Sequence, residues 1–134
     1  NLSLLLVKGG EEHVHSYPER YTLGENLYIS PAVALAEATK AIASMGNLAR
    51  INLERGCKIL NKYDPVLVSE IDKVEDNLDR FADRADHFLI GLSKVIESET
   101  EDRQLDMLMQ SVQKLVRKLR YRYICQTIRE LWDL

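Results

Sequence analysis

Apolar residues recur every three or four positions along most of this chain, which is the spacing of one face of an α-helix. From Ala32 to Lys62 the line runs through Leu35, Ala38, Ile42, Met45, Leu48 or Ala49, Leu53, Cys57 and Leu60. From Val66 to Glu97 it runs through Ile71, Val74, Leu78, Phe81, Ala85, Leu89 and Leu92. A third line, from Glu101 to Asp133, takes in Leu105, Leu108 or Met109, Val112, Leu115 or Val116, Leu119, Tyr123, Ile128 and Leu131. No segment alternates apolar and polar residues as a half-buried strand would.

The breaks between these lines have their own chemistry. Ser30-Pro31 places a capping residue before a proline at the first helical position, a strong helix start. Tyr63-Asp64-Pro65 ends the first helix and begins the second, because the residue before proline is pushed out of the helical region and Asp64 can cap the helix that Pro65 opens. Ser98 or Thr100 can cap the third helix, with Glu101 and Asp102 well placed in its first turn. Residues 1–29 hold Gly9, Gly10, Pro18 and Gly24 without a sustained period and read as an irregular lead-in or linker. Short links between long helices make antiparallel neighbours. Residues 30–134 therefore predict an all-α, antiparallel three-helix bundle. Its first helix is rich in small residues between Ala32 and Gly46, so a neighbouring backbone can come close there.

Charge divides the helices. Glu70 to Asp86 carries seven acids against three bases, whereas Lys114 to Arg122 carries five bases and no acid. Asp72, Asp76, Asp79 and Asp83 fall within about 60° of one another around the second helix, away from its apolar centre. Stacked carboxylates repel, each neighbouring pair by about 0.2–0.5 kcal/mol in an isolated helix. Solvent and salt, the bases Lys73, Arg80 and Arg84, or a bound cation can each relieve that repulsion. Across the whole 134-residue chain the net charge is only −3, which predicts no general affinity for nucleic acid. The basic patch of Lys114, Arg117, Lys118, Arg120 and Arg122, interleaved with Tyr121 and Tyr123, has the composition of a phosphate- or lipid-binding surface. An acidic helix in the same bundle, or across a dimer, would equally satisfy it.

Catalytic constellations are scarce. Glu11, Glu12, His13 and His15 lie in the glycine-flanked lead-in rather than on a helix, and His87 stands beside Asp83 and Asp86 at the edge of the second helix. No serine falls in a nucleophile motif and no glycine-rich phosphate loop is present, so the chain is expected not to be an enzyme. Cys57 and Cys125 lack the spacing of a zinc site or a disulfide framework, which favours the cytosol. Leu2 to Val7 is too short to span a bilayer, for which about 20 apolar residues are needed.

The run Ser30-Pro31-x-x-Ala34-Leu35-x-x-Ala38-x-Lys40-x-Ile42-x-x-Met45-Gly46, joined by Ile71-Asp72-x-Val74-Glu75-Asp76-x-Leu78-Asp79 and Leu92-Ser93, resembles the PhoU-like domain. It looks closest to the version fused to the cytoplasmic C-terminus of bacterial sodium/phosphate cotransporters. The resemblance covers roughly Tyr21 to Val112 and implies a single three-helix repeat. It also implies a regulatory role in phosphate transport and homeostasis at the cytoplasmic side of the cell membrane. The expected partners are a membrane-embedded transporter region, joined through the lead-in, and a second copy in a homodimer, with no nucleic acid.

Some members of that family hold iron or other metals through E(D)xxxD motifs. The first such motif is matched by Glu75 and Asp79, with Asp72 and Asp76 beside them. The second, reading like E-R-I-G-D, falls at Val116 to Arg120, where only the arginine is kept and both acids are replaced. A metal-binding bundle is thus the alternative function, with ligands drawn from the second helix alone and with positive charge from the third nearby.

Overall fold

Helix boundaries arise from the chemistry at the breaks. The computed structural model describes residues 23–118 and 130–133, with side-chain surroundings left out for 116–118. A short 3-10 helix, Glu25–Ile29, leads into α1 (Pro31–Asn61), α2 (Pro65–Ser93) and α3 (Glu99–Lys118). Asp64 caps α2 as expected, its carboxylate accepting from the backbone N–H of Val66 at 3.0 Å and of Leu67 at 3.4 Å. Ser30 occupies the corresponding position on α1 but makes no side-chain capping bond. There the fixed φ of Pro31 and the bond from Ala34 N–H to the Ser30 carbonyl, 2.9 Å, begin the helix.

α2 ends at Ser93, four residues before the expected limit at Glu97. The N–H groups of Lys94 and Val95 turn back to the Gly91 and Leu92 carbonyls at 3.3 and 3.1 Å, tightening the last turn and closing the helix. The expected extension of the third helix through Leu119, Arg120 and Arg122 to Ile128 lies outside the described residues. Trp132 is described, and its ring stacks on Tyr63 at the α1–α2 turn with centroids 6.4 Å apart.

Each of the three helices packs on the other two, so the molecule is a three-helix bundle; α1, at a rise of 1.5 Å per residue, is about 46 Å long. The described residues are helical or in short connections, with no strand among them. No described helix is long and apolar enough to cross a membrane. The main core joins Leu35, Ala38, Ile42, Met45 and Leu48 of α1 to Leu78, Phe81, Ala85, Leu89 and Leu92 of α2 and to Leu105 and Val112 of α3. A smaller cluster of Ile59, Val68 and Ile71 lies nearer the α1–α2 turn, with Tyr63 and Leu67 packed against it.

Between the two clusters Asn52 is buried and donates its side-chain N–H to the Ile71 carbonyl across the α1–α2 seam at 3.1 Å. The second half of α1 therefore departs from the expected line. Ile59 and Asn52 are buried, while Leu53, Cys57 and Leu60 are exposed. An asparagine at the buried position hides the true seam from a hydrophobic pattern, and the apolar residues one place along draw the eye to the flank.

The lead-in, read as irregular to residue 29, is ordered at its end. Leu23, Leu27 and Tyr28 pack against the main core. The Tyr28 ring stacks on Phe88 with centroids 5.1 Å apart, and its hydroxyl donates to the Phe88 carbonyl at 2.9 Å. Burial first, and the Glu25 carboxylate second, hold the phenol above its ordinary pKa, so it remains a donor throughout the neutral range.

Candidate functional site

The acidic residues of α2 are distributed by helix geometry. Each step of four residues advances about 40° around the helix. Ile71, Glu75 and Asp79 thus pass from the core, through its edge, to the outer face. Glu75 is only 2% exposed, whereas Asp79 is exposed. The E-x-x-x-D pair does not present two carboxylates to solvent: the bundle takes one in and leaves the other out. Asp76, Asp79 and Asp83 are exposed and Asp72 is half-buried, so the predicted ridge is a real outward strip without Glu75.

The bases expected to neutralise the strip are in specific places. Arg80 donates to the Asp76 backbone carbonyl and to the Asn77 side-chain oxygen, each at 3.3 Å. The Arg84 guanidinium lies over the Phe81 ring, 5.2 Å from its centroid, where a cation is attracted to the π face. Among the described residues no three His, Cys, Asp or Glu side chains converge as a metal site would require. His87 is exposed. The tail residues Glu11, Glu12, His13 and His15 lie outside the described residues.

Of the basic patch, Lys114 is exposed on α3 and Arg117 and Lys118 belong to its last turn; Arg120 and Arg122 lie outside the described residues.

Sequence reasoning missed three features of this region: the burial of Glu75, the buried Asn52 and the Tyr28 contact. For the first, Glu75 standing one turn after Ile71 is a hint, but the packed neighbours decide where the buried seam ends. The other two depend on which helix faces which, and no local pattern carries that.

Asp86, half-buried at the end of the strip, has its carboxyl pushed above the ordinary range, chiefly by burial and secondly by the Asp83 carboxylate. In the folded state it protonates at a higher pH than in the unfolded chain. Stability from this group is present in acid and is lost as pH rises through the folded-state pKa. Asp86→Asn is therefore expected to raise the urea midpoint at pH 7, with the gain vanishing near pH 3. Equal differences between the two proteins at both values would refute this account.

The fold and surface define an all-helical bundle with an acidic strip along its second helix. No protein-family model, curated protein or solved structure matches the chain.

Proposed function

We propose that this chain is a non-enzymatic regulatory domain of the PhoU-like kind, acting on sodium-dependent phosphate transport from the cytoplasmic side of the membrane. The observation that carries the reading is the spaced run from Ser30 to Gly46 together with Ile71 to Asp79. Its apolar positions Leu35, Ile42, Met45, Ile71, Val74 and Leu78 fall on the buried faces of α1 and α2. The polar positions of the same motif that stay outside, Lys40, Asp76 and Asp79, give the domain a charged exterior on a rigid scaffold. That arrangement suits reversible contact with a transporter, since exposed charges set encounter rate and orientation more than affinity.

In this proposal the domain works as a homodimer joined to its transporter through the lead-in. Removing residues 30–134 in the cell is expected to change how phosphate uptake responds to external phosphate, read as radiolabelled uptake at limiting and at abundant phosphate. Uptake identical to the intact protein under both conditions would overturn the proposal.

A further inference from the structure

The 3-10 segment is attached to the bundle differently from the three helices. It buries no residue of its own, and Ile29 is 90% exposed. Leu27 and Tyr28, with Leu23 just before them, pack partly buried against the main core. Tyr28 supplies the directed contacts: the ring on Phe88 and the hydroxyl bond to the Phe88 carbonyl, 60 positions away in sequence. The surface it meets is shaped to receive it. Gly91 sits one turn beyond Phe88, and a Cβ built there would lie 3.0 Å from Tyr28 Cε2 and nearer still to Cζ and the hydroxyl oxygen. Gly91 is in an ordinary helical conformation without positive φ. Backbone strain therefore does not call for glycine at this position; the approach of Tyr28 does.

Among the described residues the segment is held by the Tyr28 hydroxyl bond, its ring stack and partly buried contacts, a hold that belongs to the low end of the local stability scale, below a core of three mutually packed helices. The Ser30–Pro31 junction separates the two. Ser30 is extended, and its N–H closes onto Leu27 while its carbonyl opens α1, so the segment can leave without disturbing the helix.

We infer that residues 23–29 form a detachable strap, which docks in the Phe88–Gly91 notch through Tyr28 and releases as a unit while the three-helix bundle stays folded. Docked, the strap is held near the α2 C-terminal end through Tyr28. Released, the segment spans up to about 23 Å in all when extended, at roughly 3.3 Å per residue. The strap does not rest on the phosphate-transport reading, and uptake assays do not test it.

Native-state hydrogen exchange of the full chain, read by mass spectrometry, tests it directly. The Leu27 and Ser30 amides, bonded to strap carbonyls at 3.0 and 3.1 Å, are expected to exchange well before those of α1 between Ala38 and Leu48. Tyr28→Phe removes only the hydroxyl bond and is expected to speed strap exchange about fivefold. Gly91→Ala blocks the notch and is expected to bring the strap amides close to unprotected rates, even though alanine favours the α2 helix itself. In both variants the α1 amides are expected to keep their wild-type rates. Strap and α1 amides accelerating together would show a single cooperative unit and overturn the inference. Strap amides unchanged in both variants would overturn the role of Tyr28 and the notch.

Discussion

Leu89→Ala is expected to cost about 2–5 kcal/mol of stability, read as a fall in the urea midpoint at unchanged slope. Leu89 is fully buried in the α2 face, among the residues that join all three helices. Truncation removes the transfer free energy of its lost methyl groups and leaves a cavity. The long helices around it can close that cavity only by moving as rods. Domains of this kind carry about 5–15 kcal/mol in total, so the substitution consumes a large share of it. Leu60→Ala provides the comparison, because Leu60 is an equally regular member of the α1 apolar line yet 60% exposed. Its loss is expected within about 0.5 kcal/mol of wild type, as for an exposed position. Comparable losses at Leu89 and Leu60 would mean that the second half of α1 is packed as the apolar spacing alone suggests.

That contrast shows where the sequence was readable. On α2 every residue of the expected apolar line, from Ile71 to Leu92, is buried. The line is clean because acids and bases occupy the other face, so period and burial agree. The α1–α2 break was equally legible, since Asp64 and Pro65 act through their own backbone and need no tertiary partner. On α1 the agreement stops after Leu48, where a polar residue takes the buried position and pairs with the Ile71 carbonyl.

Periodicity counts apolar side chains. It cannot distinguish a buried asparagine with a partner from an exposed one. The burial of Glu75 escaped the pattern for a related reason. Glu75 and Asp79 are one turn apart in both readings, but a 40° drift per turn is enough to carry one into the seam, and only the packed neighbours reveal where the seam ends. The strap was illegible because its order comes from Tyr28 meeting Phe88 and Gly91, a contact between distant parts of the chain.

Small residues on α1 set the second large effect. Asn52 of α1 meets Ile71 of α2, and in an antiparallel pair with equal rise the residues about four turns away toward the α2 C-terminus are Ala38 and Ala85. Both are fully buried. At zero exposure neither alanine has free space beside it, so a larger side chain at either position must displace packed neighbours. Ala38→Leu is expected to cost about 1–3 kcal/mol by forcing the helices apart or its neighbours off their rotamers, although leucine is nearly as good a helix former. Ala85→Leu is expected to cost a similar amount. Leu89 stands one turn beyond Ala85 on the same face, so a cavity at 89 gives an added leucine at 85 somewhere to go. The double variant Ala85→Leu/Leu89→Ala is then expected to lose less than its two single variants combined, by about 0.5–3 kcal/mol of coupling. Strict additivity in urea unfolding would place the two side chains in separate volumes and overturn this account of the Ala85–Leu89 pair.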